Sequence, residues 1–155
     1  MVDFIARLLL FALFILCFYY ERKEKKRKEH ESWIYDCRQR LIRITHSYRR
    51  DCQTIAEKAF ARYTNIILHN SYRYGPDFMT YSFLSDYQES IDTLKVDYID
   101  NLAERYSDSN KNLSISDLPD YLIDEYEKSI SDIAFAFYDF SYIMRKHIEE
   151  AKERN

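Results

Sequence analysis

Glycine is almost absent from this chain of 155 residues, and its scarcity constrains the fold more than any other feature. The chain contains one glycine, Gly75, and two prolines, Pro76 and Pro119. Tight hairpins need glycine because their turns use positive φ angles, and phosphate-binding loops need several because the backbone must approach the ligand closely. The sequence therefore excludes β-rich folds, dinucleotide fingerprints and P-loops. It predicts an all-α protein made of a few long helices.

The charge is distributed unevenly, and the formal net charge of −3 conceals this. Residues 1–50 carry 12 Lys and Arg against 6 Asp and Glu, whereas residues 51–155 carry 11 against 20. A basic segment next to an acidic one indicates that the two parts face different surroundings. Since the acidic part would repel phosphate, we expect no nucleic-acid partner.

The segment from Phe4 to Tyr20 is apolar except for Arg7. Seventeen helical residues extend for roughly 25 Å, which is the short end of a membrane crossing. Arg7 lies near one end, where its side chain can reach lipid headgroups, and aromatic residues mark the other end. No small-residue cleavage site follows, so residues 1–20 are predicted to be an uncleaved signal-anchor rather than a cleaved signal peptide. The residues assigned to the span are Phe4, Arg7, Leu8, Phe14, Tyr19 and Tyr20.

A basic and acidic run over residues 21–31 follows the apolar segment. Its cations are assigned to lipid headgroups and to topology, namely Arg22, Lys23, Lys25, Lys26, Arg27 and Lys28. The positive-inside rule then places the short N-terminus outside and the C-terminal domain in the cytoplasm, or on the matrix side in an organelle. Glu21 with Lys25, and Glu24 with Lys28, have the spacing of helical ion pairs. We therefore expect a helical stalk in contact with membrane lipids.

Residues 32–155 are predicted to form a helical bundle, because apolar residues recur there every three or four positions. The three helices are predicted at about 32–71, 78–106 and 117–152, and the first continues directly from the membrane segment. The expected core residues are Ile34, Cys37, Leu41, Ile44, Tyr48, Cys52, Ile55, Ala59, Tyr63, Ile66, Leu84, Tyr87, Ile91, Leu94, Tyr98, Leu102, Leu122, Tyr126, Ile130, Ile133, Phe137, Phe140, Met144, Ile148 and Ala151. Short connections between such helices favour an up-down-up antiparallel arrangement.

The helix ends are indicated by a few punctuating residues. Gly75 and Pro76 break the chain after the first helix. Ser116 or Asp117 is predicted to cap the third helix, with Pro119 in its first turn.

The third helix has aromatic residues on a second face. Phe135, Tyr138 and Tyr142 lie roughly 150° around the helix from its core stripe. Aromatic patches of this kind favour protein interfaces, so these three residues are predicted to bind a protein partner or to mediate self-association, unless the bundle itself covers them. A weaker second stripe in the first helix, made of Tyr35, Ile42, Phe60 and Ile67, points the same way.

Constellations that carry catalytic or metal chemistry are not expected. Cys37 and Cys52 are fifteen residues apart on one helix, about 22 Å along its axis, so they cannot share a disulfide or a metal within one chain. They are predicted to be buried thiols, and Cys17 lies in the membrane segment. The C-terminal carboxylates are consistent with capping and solvation. We therefore predict no catalytic residues, no metal site and no cofactor.

Two segments have the spacing of an arginine and a histidine six or seven residues apart. Arg40 precedes His46, and Arg62 precedes His69. This spacing resembles that of small helical ribonucleases of the HEPN family, and the resemblance implies that such a pair would act on a phosphodiester. The alternative function is thus a membrane-tethered effector, toxin or ribonuclease-like enzyme. The leading prediction is a single-pass membrane protein that acts through protein–protein interaction, as an accessory subunit, scaffold or regulator of a membrane complex.

Overall fold

The protein is helical throughout the part that its computed structural model describes. That part comprises residues 2–70, 76–107 and 112–153, with side chains described at 7, 9–62, 84–107, 112–140, 142 and 146. The elements are α1 (Val2–Asn70), α2 (Pro76–Asp100), α3 (Leu102–Tyr106), a 3-10 turn (Ile115–Asp117) and α4 (Asp120–Glu153). These residues contain no β-strand, so the predicted all-α class is confirmed.

The chain divides into two compact units, Met1–Gln39 and Arg40–Asn155. The first unit is helical, and it contains a continuous run of described apolar side chains from Leu9 to Tyr20. Within the residues described, no helix is long and apolar enough to cross a membrane. The transmembrane prediction for residues 1–20 is therefore unsupported by the described part of the chain. The side chains of Phe4 and Leu8 lie outside the described part.

The charged helical segment that follows in the first unit forms ion pairs on its surface. Glu24 lies 3.7 Å from Lys28, as its spacing predicts, and also 3.0 Å from Arg27. Lys25 pairs with Glu29 at 4.0 Å. All of these side chains are more than half exposed, so each pair contributes only a few tenths of a kcal/mol to the helix.

The second unit buries the stripes that the helical period predicts. Leu84, Tyr87 and Ile91 of α2 are buried, and so are the stripe residues Leu122 to Ile133 of α4. In α1, Tyr48 and Cys52 are fully buried. Five further predicted core residues of this unit are only half-buried, namely Ile44, Ile55, Leu94, Phe137 and Phe140. The side chains of Tyr63, Ile66 and the stripe residues from Met144 onward lie outside the described part.

Contacts of α2 establish how the three long helices run in this unit. The Tyr98 hydroxyl donates to Asp51 of α1, and the Tyr126 hydroxyl of α4 donates to the Tyr98 carbonyl. At the other end of α2, Tyr87 donates to the Phe137 carbonyl. The C-terminal part of α2 thus contacts the N-terminal part of α4, and the middle of α2 contacts a part of α4 farther along the chain. α2 and α4 are therefore antiparallel. Tyr87 also lines a small pocket with Ile55 to Arg62, so α2 is antiparallel to α1 as well, and α1 and α4 run parallel.

The second predicted helix is interrupted once. It ends at Asp100 and resumes as α3 at Leu102, because Asn101 adopts a non-helical conformation with ψ near 18°. The Asn101 side-chain amide donates to the Asp97 carboxylate, one turn earlier, at 2.7 Å. The backbone bonds from Asn101 to Asp97 and from Arg105 to Asn101 are kept, so the direction of the chain changes little.

The third predicted helix begins later than expected. Ser114, rather than Ser116 or Asp117, is the capping residue, and it caps the 3-10 turn in a reciprocal capping box with Asp117. α4 then begins at Asp120, and the Pro119 carbonyl accepts the first helical bond from the Leu122 N–H at 2.9 Å. Pro119 therefore precedes the first turn rather than lying inside it.

Candidate interaction surfaces

The predicted aromatic face of α4 is only partly open. Phe135 is 65% exposed and Tyr142 is 68% exposed. Tyr138, between them, is half-buried, and its hydroxyl donates to the Asp92 carboxylate of α2. Burial, together with this carboxylate, raises the pKa of Tyr138 to about 12. The structure therefore leaves Phe135 and Tyr142 open on the outer face and ties Tyr138 to the bundle.

An open cleft of about 1220 Å³ lies between the parallel helices α1 and α4. One hint of it is present in the sequence, since Phe60 belongs to the second stripe of α1 and is 53% exposed. The residues that line the cleft are Thr45, Arg49, Gln53, Ala56, Glu57 and Phe60 from α1, and Ser129, Asp132, Ile133, Ala136, Phe137 and Phe140 from α4. The cleft is apolar at its floor and carries charged groups along its rims.

A polar network centred on Tyr98 holds the core of the second unit. The Tyr98 ring has the Arg105 guanidinium 3.9 Å from its centroid and the Tyr48 ring 5.1 Å from its centroid. Its hydroxyl donates to Asp51 at 2.7 Å, and Arg105 also forms an ion pair with Asp97. Burial, and then the Asp51 carboxylate, raise the pKa of Tyr98 to about 12. These contacts join α1, α2 and α3.

Tyr48 and Cys52 lie one helical turn apart in the same core. The Tyr48 hydroxyl is buried and has no hydrogen-bond partner of good geometry among the described residues. Burial raises its pKa above the ordinary value, and the Cys52 thiol beside it adds to that effect. Burial also raises the pKa of Cys52. Both groups therefore keep their protons at neutral pH, and Cys37 and Cys52 are buried thiols, as predicted.

Of the two arginine and histidine pairs of the alternative function, only Arg40 and His46 both have described side chains. Arg40 donates to the Ser107 carbonyl at 3.4 Å and lies 5.3 Å above the Tyr106 ring. His46 is exposed, about 9 Å farther along the same helix and a third of a turn away from Arg40. The side chain of His69 lies outside the described residues. Among the described side chains there is also no cluster of three or more potential metal ligands.

The cleft and the Tyr98 network are the two features that the sequence did not predict. Both depend on side chains from separate helices, and only the repeated apolar positions in α1 and α4 hinted that these helices had more than one buried face. Comparisons of the chain with protein-family models, with curated proteins and with solved structures found no match.

Proposed function

We propose that the N-terminal helix anchors this protein in a membrane and that the bundle binds another protein through the outer face of α4. In this role it serves as an accessory subunit, scaffold or regulator of a membrane complex. The proposal rests mainly on the exposed apolar run of the first unit. Ten large apolar side chains between Leu9 and Tyr20 are each 52% to 69% exposed. Apolar surface of this extent, around the whole circumference of a helix, must be covered by lipid or by another apolar surface.

Two sequence features make lipid the favoured cover. The apolar run extends in the sequence toward Phe4, which brings its length to that of a short membrane span. Six basic residues follow at once, from Arg22 to Lys28, and their described side chains are exposed. Cations next to an apolar helix attract anionic headgroups and favour the cytoplasmic side for the chain that follows.

Lysines in the middle of the apolar run are expected to abolish membrane association. In the double variant Leu13→Lys, Phe14→Lys, two charges fall near the centre of the segment, where each costs roughly 3 kcal/mol. The full chain, mixed with vesicles of neutral and anionic phospholipid, should float with them after a high-salt wash, whereas the double variant should remain at the bottom of the gradient. Salt removes proteins that are held by headgroup charge alone.

A matched control variant adds the same two positive charges at the edge of the apolar segment. In Tyr19→Lys, Tyr20→Lys the new ammonium groups can reach the headgroups, so this variant should still float. A wild-type chain that is washed off by salt, or two double variants that behave alike, would contradict membrane insertion.

The double substitution Phe135→Ser, Tyr142→Ser is expected to weaken binding of the protein partner by roughly tenfold or more, since exposed aromatic anchors dominate interface energies. Tyr138 is left unchanged because it contacts Asp92. The full chain, as bait, is compared with this variant in detergent extracts of its native cells. Tyr121→Ser is the control, because Tyr121 is an exposed aromatic about 21 Å away from Phe135 along α4. A set of bound proteins that is the same for bait, variant and control would refute the role of this face.

A further inference from the structure

The two walls of the cleft between α1 and α4 repeat the same spacing. Along α1 the lining residues Arg49, Gln53, Ala56 and Phe60 are separated by four, three and four residues. Along α4 the same steps separate Ser129, Ile133, Ala136 and Phe140. Because the helices run parallel, these positions form four successive layers over about 16 Å. This is the spacing of a seam in a coiled coil or a four-helix bundle, of which one side is present here.

The layers change character along the cleft. The first is polar, with Arg49 and Ser129, and the last is aromatic, with Phe60 and Phe140. The third consists of Ala56 and Ala136, two small side chains that allow helices to approach closely. An occupant that matches this cleft must therefore also be polar at one end, small in the middle and aromatic at the other.

The walls of the cleft carry opposite charges near its polar end. Arg49 lies on the α1 wall and Asp132 on the α4 wall, and both are exposed. Within the described part, neither side chain takes part in an ion pair. Arg49 and Asp132 can therefore each pair with an opposite charge on a neighbouring surface.

We infer that the cleft is an interface with a second copy of this chain, related by a two-fold axis parallel to the helices. This axis places α1 of each copy opposite α4 of the other. Arg49 then faces Asp132 of the second copy, twice, and each layer meets a layer of its own kind. The two clefts close into one four-helix bundle whose core contains Phe60, Phe137 and Phe140 from both copies.

The other two-fold arrangement is unfavourable. An axis perpendicular to the helices would set the Phe60 and Phe140 layer against the layer of Arg49 and Ser129, so apolar rings would bury a guanidinium. The parallel arrangement uses neither Phe135 nor Tyr142. It therefore goes beyond the proposed function, leaves the outer face of α4 open, and requires no membrane.

Charge reversal with mixing tests this interface directly. The full chain in mild detergent should have the protein mass of a dimer by light scattering. Arg49→Asp alone sets two carboxylates against each other at both contacts, and Asp132→Arg alone sets two guanidinium groups against each other. Each variant should therefore dissociate at concentrations roughly tenfold higher or more. Mixed in equal amounts, the two variants should restore a dimer that contains one copy of each, because both contacts are then between opposite charges.

Controls separate an interface from a folding defect. Lys58→Asp and Glu127→Lys reverse exposed charges on α1 and α4 away from the cleft, and each should remain a dimer. Phe60→Glu should be a monomer with unchanged helix content by circular dichroism. A wild-type chain that is monomeric at every concentration, or a mixture of Arg49→Asp and Asp132→Arg that stays monomeric, would overturn the inference. Whether or not the chain floats with vesicles does not affect this test of the dimer.

Discussion

Replacing Tyr98 by alanine is expected to lower the free energy of unfolding by about 4 kcal/mol, as for other buried aromatic side chains. The substitution removes a fully buried ring that contacts both the Arg105 guanidinium and the Tyr48 ring. It also leaves Asp51 without the hydroxyl that donates to it at 2.7 Å. Urea unfolding of the full chain in mild detergent, followed by far-ultraviolet circular dichroism, measures the loss.

Two phenylalanine variants separate the contribution of the ring from that of the hydroxyl. Tyr98→Phe keeps the ring and loses only the hydrogen bond to a carboxylate, so the expected loss is about 2 kcal/mol. Tyr48→Phe removes a buried hydroxyl that has no partner of good geometry, and it should be neutral or stabilising by up to about 1 kcal/mol. Equal losses in Tyr98→Phe and Tyr48→Phe would contradict the assignment of the network to Tyr98.

The helical period predicted most of the core, because burial of one helical face depends on spacing alone. Tyr87, Ile91 and Ile130 occupy stripe positions in the sequence and are buried in the structure. The helical continuity of residues 2–70 follows equally from the lack of glycine and proline before Gly75. These are local properties, and a sequence states them directly.

The partners of individual side chains could not be predicted in the same way. The helical period places Tyr98 in the core, but nothing near it in the sequence indicates that its hydroxyl donates to Asp51, 47 residues earlier. Tyr106 belongs to none of the apolar stripes, yet it is buried beneath the Arg40 guanidinium. Such contacts depend on how separate helices cross.

The candidate sites also combine local features, which the sequence predicts, with contacts between helices, which it does not. The exposure of Phe135 follows from its angle on the helix, whereas the bond from Tyr138 to Asp92 depends on how closely α2 approaches. The sequence does not predict the cleft, because its walls come from α1 and α4, which are about 80 residues apart in the chain. Its matched spacing becomes informative only once these helices are known to be parallel.

The buried phenols link the stability of the bundle to alkaline pH. Burial raises the pKa of Tyr87 and of Tyr126 to about 12, and Tyr98 and Tyr138 have pKa values of about 12 as well. The ordinary pKa of tyrosine in an unfolded chain is about 10. Because the folded state binds these protons more tightly, their contribution to stability is complete below pH 10 and is lost as the pH rises toward 12. The raised pKa of Cys52 acts in the same direction from its own ordinary value upward.

We therefore expect the bundle to unfold cooperatively between pH 10 and pH 12, before its buried tyrosines ionise in the folded state. Each phenol that ionises in the unfolded chain but stays protonated in the folded one favours unfolding, and four such phenols act together over this pH range. Stopped-flow titration of tyrosinate absorbance, with circular dichroism at the same pH, should show ionisation and loss of helix together. Tyr126→Phe removes one such phenol and should make stability fall less steeply with pH. Helix content that persists unchanged to pH 12 would contradict this linkage.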